Sequence, residues 1–364
     1  MTWNPANSLS DDFVSLPEKI YADSPHWIPE SKSALRRAFS EQNPYFLSSR
    51  VWLGTEPDKA RLVGFFDPSL KIEGHSVAYF GYWETIDALE PNEKLFNELK
   101  TWAKAQGAAS LIGPINFNTF GLYRTRINAF EAGAFPGEPY NPRYYPDLLQ
   151  ALGFQEYQRY LSQVLDIETV YDAVKARSTS LAIADEAKKF SFEVMDGETM
   201  RAAVKEIYGL MDAIFGNNLG YSPIPFEVFA KAVVEPFSYR HCQKTSMIVR
   251  APDGTLAAVF LNFPDWSPLT RNENPSRLAL DAIRFDEHFE QLSDKSLLMK
   301  TVGVAPQYRR LGLHNIMALI MLENSKNHYT QGVAALIREG NPSSRFYSQL
   351  PHQLHQYALF ATSL

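Results

Sequence analysis

The sequence has a single cysteine, Cys242, so no disulfide can form within the chain. That fits a reducing compartment, where thiols stay reduced. Positive charge is not in excess either: 35 Lys and Arg stand against 41 Asp and Glu, a formal net charge of -6. A large nucleic-acid footprint needs a basic face, so nucleic acid is not expected as a partner, although a local basic pocket for a small anion remains allowed. No apolar run approaches the ~18 residues of a membrane span. The N-terminal "MTWNPANSLSDDF" lacks the basic-then-apolar layout of a signal peptide. A soluble cytoplasmic protein without membrane contact is the expectation.

What is present is a globular composition. The 364 residues are 45% hydrophobic and 21% charged, enough for two domains that each bury a core. Cys242 next to His241 reads as a half-buried spacer, since nothing nearby suggests a nucleophile dyad. His352 and His355, in "HQLH", read as a surface pair and not a metal site, because no partner cluster accompanies them.

Internal repetition organises the chain. "QGAASLIGPIN" (Gln106 to Asn116) and "QGVAALIREGN" (Gln331 to Asn341) are near copies, each a helix end at glycine followed by an apolar strand. Upstream, Val51 to Phe66 and Thr245 to Phe263 are each two β-rich runs around a Pro-Asp turn, the pattern of a hairpin. A third strand follows each hairpin, Ser76 to Glu84 and Ser296 to Ala305. A tandem α/β (α+β) protein is predicted, each unit a mixed sheet flanked by helices, in the order strand–helix–meander–helix–strand–helix–strand. The units are placed at 1–165 and 190–364, with a helical connector at 166–189. Pro264 to Lys295 reads as an insertion, the kind of long loop that serves as a lid or recognition element or stays disordered.

"KTVGVAPQYRRLGLHNIMALI" (Lys300 to Ile320) holds the main chemical signal. An alternating strand stops at Pro306, two arginines and a glycine follow, and a helix pattern starts at His314. A helix start has backbone N–H groups without internal partners and the positive end of the helix dipole, so it attracts anions. Two arginines sharpen such a site for phosphate, and Gly312 lets the backbone approach a ligand.

"QYRRLGLH" resembles the pyrophosphate loop of the GNAT acyltransferase superfamily, (Arg or Gln)-x-x-Gly-x-(Gly or Ala), with Arg309 and Gly312 in the first two places. His314 departs from the pattern. The resemblance covers the last half of the chain, and more weakly nearly all of it. It implies acetyl-CoA or another acyl-CoA as co-substrate, its pantetheine paired with backbone near Val302 and Val304. The pyrophosphate would then lie on Arg309, Arg310, Leu311, Gly312, Leu313 and His314. In the first half the same place carries Glu84, Asp87, Glu90 and Glu93, which would repel a pyrophosphate. Only the second unit is expected to bind CoA, the first being degenerate.

Attack of an amine on a thioester needs a base, and the leaving thiolate gains from an acid. Glu339 ends the strand after the helix, where this superfamily sometimes carries a carboxylate base; the aligned residue in the first half is Pro114. The resemblance also implies a cofactor contact or strand support at Asn341. It implies a sulfur-protonating tyrosine at the place of Ser348, with Tyr347 one position earlier. Leu111 to Phe130, rich in Asn, Tyr and Arg, lines a cleft or caps the sheet.

The leading expectation is direct transfer of an acyl group from acyl-CoA to an amine of a small molecule or peptide. A non-catalytic acyl-CoA-binding or scaffold protein keeps the same fold. An aminoacyl-tRNA-dependent transferase is a third reading, disfavoured by the acidic balance and the arginine loop.

Overall fold

A computed structural model describes residues 1–177, 183–216 and 218–364. Its strands are β1 (Arg50–Glu56), β2 (Ala60–Ile72), β3 (His75–Thr85), β4 (Ser110–Gly113), β5 (Thr125–Arg126), β6 (Gln155–Asp166), β7 (Ser191–Val194), β8 (Met247–Arg250), β9 (Leu256–Pro264), β10 (Ser296–Val304), β11 (Gln331–Arg338) and β12 (Gln353–Ser363). The chain divides into unit 1, made of Met1–Tyr160, Thr270–Arg277 and His355–Leu364, and unit 2, made of Leu161–Leu269 and Leu278–Leu354.

In unit 1 the predicted hairpin is β1–β2, with Asp58 at a left-handed φ of 59° in its turn. β3 adds antiparallel to β2, and β4 adds parallel to β3. The Leu89–Ala105 helix connects β3 to β4. Its buried residues Leu95, Phe96, Leu99, Trp102 and Ala103 recur at helical spacing, which turns one stripe to the sheet. They join Trp52, Leu62, Phe80, Phe154 and Phe360 in one core. Each large apolar side chain buried this way contributes about 1.5–3 kcal/mol.

Unit 2 repeats the plan. β7, β8, β9 and β10 run antiparallel in succession, and β11 pairs parallel with β10. The Leu313–Ser325 helix links these last two and buries Leu313, Met317, Met321 and Leu322. Between β7 and β8 lie two helical stretches, Gly197–Phe215 and Phe226–Arg240. The first is interrupted at Ala203, and the second carries a π-helical turn over Phe229–Val234.

Several expectations need correction. No strand opens unit 1, where a single bridge, Thr2 to Trp52, stands in that place. The last strand of the chain belongs to unit 1, with Phe360 opposite Gly113 and Ser363 opposite Ser110 on β4. Alternation marks a strand but not the sheet it joins, so the sequence boundaries at 165 and 190 left this strand in the wrong unit. The connector is helical over Ile167–Arg177, buries Ile167 and Val170 in the unit 2 core, and is part of that unit. Its residues 178–182 lie outside the described residues.

The Pro264 to Lys295 insertion is anchored by packed side chains. Trp266, Ile283, Phe285, Phe289 and Leu292 are built into the unit 2 core, while Thr270–Arg277 belongs to unit 1. There the Asn272 N–H donates to Trp27 O at 2.8 Å. Cys242 is fully buried, not half-buried, and the Tyr329 hydroxyl meets its Sγ at 3.0 Å. No helix among the described residues is long and apolar enough to cross a membrane.

Candidate functional site

The site in unit 2 starts with a strand that leaves its neighbour. β10 and β11 keep parallel register from Ser296–Gln331 to Met299–Ala334, and the register goes no further. Pairing of β10 with β9 continues to Val304 opposite Ala258, after a bulge between Met299 and Thr301. Bulges bend a strand and occur beside functional sites. Backbone groups of β10 that point away from β9 beyond Met299 therefore have no strand alongside, and buried or half-buried backbone groups demand partners. Val302 is exposed and Val304 half-buried. Gly303 lets the Ile214 side chain pack against the strand, since a Cβ there would lie 2.0 Å from Ile214 Cδ1 and the side chain would have to move.

At the end of β10 the chain turns through Pro306–Tyr308 into the Leu313–Ser325 helix. Gly312 is its N-cap, at φ 79° and ψ 18°. Side chains other than glycine are strained there, which explains this glycine. A Gly cap has no side chain to satisfy the helix start. Among the described residues none accepts from the N–H groups of Gly312, Leu313 or His314. Three donors thus converge on one corner.

The two arginines divide the work. Arg309 folds back, its Nε donating to Val304 O at 3.2 Å and its Nη2 to Ala213 O at 2.9 Å. It braces the strand end against the last turn of the Val204–Phe215 helix while remaining exposed. Arg310 is exposed and has no ion pair among the described residues. Leu311 accepts at its carbonyl from Ala184 N at 3.1 Å, and the Leu313 side chain is core, leaving only its N–H for a ligand.

His314 is half-buried and lies flat on Phe346, ring centroids 5.6 Å apart and planes 7° from parallel. Burial lowers its basicity, favouring the neutral ring. The stack folds the segment after β11 over the helix start. Next to Phe346, Tyr347 is buried with its hydroxyl 3.9 Å from Met299 Sδ, at the point where β10 parts from β11. Burial pushes its phenol up to about 12, so it stays protonated at neutral pH.

Glu339 is exposed, just past β11 and before Gly340 at φ 87°. Asn341 is committed to a cap, its Oδ1 accepting from Ser343 N at 3.1 Å and Ser343 Oγ at 2.9 Å. The corner and the Phe346–Tyr347 pair are thus joined by the His314–Phe346 stack, whereas among the described residues no hydrogen bond or ion pair ties Glu339 to either. Phe346 and the Met299 contact were not singled out in the sequence, and no local pattern marks a ring stack across thirty residues of chain.

Unit 1 closes the equivalent opening with its own atoms. β3 and β4 keep register only to Tyr79 opposite Ile112. Beyond it, Ile115 N donates to Phe80 O at 2.7 Å and Tyr82 N to Asn116 Oδ1 at 2.7 Å. Glu84 is not a free surface charge: its Oε2 accepts from Tyr21 at 2.9 Å and Tyr145 at 2.8 Å. Withdrawal from water raises its pKa. Asp87, Glu90 and Glu93 are exposed. His355 is also not a surface residue. It is buried, with Nδ1 3.2 Å from Glu138 Oε1, while His352 is exposed. Among the described residues no group of three or more His, Cys, Asp or Glu could hold a metal.

No protein-family model matches the sequence. Among curated proteins the chain is similar to protein YghO of Escherichia coli K12, 25% identical over 150 residues. The match takes in 40% of this chain and 38% of that relative. Among solved structures it matches a tandem GNAT protein from the clavulanic acid biosynthesis pathway at TM-score 0.53 and 11% identity, over 100% of this chain and 98% of that one. A protein of Enterococcus faecalis V583 described as a probable N-acyltransferase matches at TM-score 0.51 and 7% identity, over 98% of this chain and 71% of its own. Such likeness in shape at such low identity speaks for the fold alone. The fold of this chain is that of a tandem GNAT protein.

Proposed function

We propose that unit 2 binds an acyl-CoA at the end of β10 and moves its acyl group to an amine of a small molecule or peptide. The observation that carries this reading is the helix start at Gly312, with three N–H groups lacking a protein acceptor and Arg310 exposed beside them. These donors fit a pyrophosphate, which takes hydrogen bonds and negative-charge stabilisation from such a corner. The parting of β10 from β11 supports a slot for the pantetheine arm, which unit 1 fills with Asn116 and Ile115.

An acyl-CoA supplies the thioester. The acceptor amine must lose a proton, for which Glu339 is the candidate base. The carbon–nitrogen bond forms as the carbon–sulfur bond breaks, and the sulfur takes a proton. Tyr347, neutral and set beside the parting of the strands, is the candidate donor. No covalent enzyme intermediate is required.

A second reading is a non-catalytic acyl-CoA-binding protein, favoured by the burial of Tyr347 in the unit 2 core. Thiol release from acetyl-CoA in the presence of a panel of amines separates the two. Turnover that falls in Tyr347→Phe supports transfer; acetyl-CoA binding without turnover on any amine supports the second reading.

A further inference from the structure

Unit 1 contains three buried arginines, and one of them has no counter-ion. Arg61 faces Glu30 at 3.1 Å, and Arg126 faces Glu138 at 3.0 Å. Arg124 is 8% exposed and has no carboxylate within ion-pair distance among the described residues. Its guanidinium carbon instead sits 3.6 Å from the ring centre of Tyr123 and 4.0 Å from that of Tyr160. The Nη2 donates to the Tyr123 hydroxyl and a side-chain hydrogen bond ties the guanidinium to Tyr160, while Nε is buried and without an acceptor. Aromatic faces attract a cation but do not neutralise it, and an uncompensated buried charge is expensive.

A second observation points to the same place. The Tyr79 hydroxyl on β3 is buried, its residue 3% exposed, and also has no partner. Tyr79 lies opposite Ile112 on β4, and Arg124 N donates to Pro114 O just past the end of that strand, so main-chain pairing brings both residues to the same end of β4. Arg124 also holds a left-handed φ of 89°, a conformation that a non-glycine residue keeps only when its surroundings enforce it. Two buried donors without acceptors and one buried cation without an anion describe a site for an oxyanion.

We propose that unit 1 binds the carboxylate or phosphate group of a small molecule at Arg124, with Tyr79 as a further donor. Contact with the two rings restrains the guanidinium, and its buried Nε is the donor left for an oxygen of the ligand. This inference is independent of acyl-CoA binding by unit 2.

Calorimetric titration of the full chain with succinate and with inorganic phosphate, at constant ionic strength against chloride, tests it. Saturable binding of one of the two is expected, and its identity tells carboxylate from phosphate. Arg124→Lys keeps the charge but loses the planar fork, and should weaken binding about tenfold or more. Tyr79→Phe keeps the ring and should weaken it by about threefold to tenfold. Arg124→Met should abolish it; if that variant fails to fold, the other two still decide. Absence of binding by the folded wild type, or wild-type affinity in both Arg124→Lys and Tyr79→Phe, overturns the proposal.

Discussion

The imidazole of His314 and the ring of Phe346 stack with planes 7° apart, although Phe346 remains 50% exposed. The residue that breaks the GNAT loop pattern is therefore turned onto its own chain. His314→Ala should keep acetyl-CoA affinity within about threefold of wild type, or tighten it. Loss of the stack should lower stability by about 0.5–1.5 kcal/mol, read by chemical denaturation. A large loss of affinity in a stable variant would mean that the imidazole touches the ligand.

Gly312 at φ 79° supports a different expectation. Gly312→Ala forces an L side chain into the left-handed region, at a cost of about 1–2 kcal/mol. The strain acts on the three donors of the helix start, so acetyl-CoA affinity should fall together with stability. Affinity unchanged in the presence of that destabilisation would remove the helix start from the site.

How far the sequence disclosed this site follows from which features are local. Gly312, Arg310 and the strand-to-helix corner are contiguous, and their spacing alone exposes them. The brace from Arg309 to Ala213 joins residues far apart in the chain, so nothing beside Arg309 reveals it. Glu84 and His355 likewise read as surface charges until Tyr21, Tyr145 and Glu138 arrive from distant segments. The tandem plan was legible because the hairpins and strands repeat in order. The destination of β12 was not, because strand periodicity carries no information about pairing partners.

Among the described residues the Tyr347 hydroxyl has one hydrogen-bond partner, Met299 Sδ at 3.9 Å, a weak one. Tyr347→Phe should therefore keep the fold while lowering kcat by about 10²- to 10⁴-fold, if the phenol protonates the sulfur. The phenol titrates near 12, so its acid form is fully present at neutral pH and is lost only above that value. The rate should show no decline from this group between pH 7 and pH 10. An unchanged kcat in Tyr347→Phe would make the residue part of the core alone.

In unit 1 a buried network fixes the last strand. Glu138 meets Arg126 at 3.0 Å, His355 at 3.2 Å and the hydroxyl of Tyr357. Burial alone would raise its pKa, but His355, Arg126 and Tyr357 outweigh it and hold the carboxyl below its ordinary 4.5. A carboxyl with a depressed folded pKa adds stability above its unfolded value. That stability is lost as pH falls through the folded one. Acid denaturation should thus begin below about pH 4.5 and lose part of its steepness in Glu138→Gln. Arg126→Met, which leaves Glu138 without its cation, should cost about 3–5 kcal/mol by urea unfolding.

The most direct measurement is calorimetric titration of acetyl-CoA and CoA into the wild type and Arg310→Ala. Arg310 is exposed and has no side-chain hydrogen bond or ion pair among the described residues, so this variant should fold as the wild type does. Binding of both ligands is expected, weakened about tenfold in the variant by loss of a charge-assisted contact to the pyrophosphate. A folded wild type that binds neither ligand, or binding that Arg310→Ala leaves unchanged, would contradict an acyl-CoA site at the end of β10.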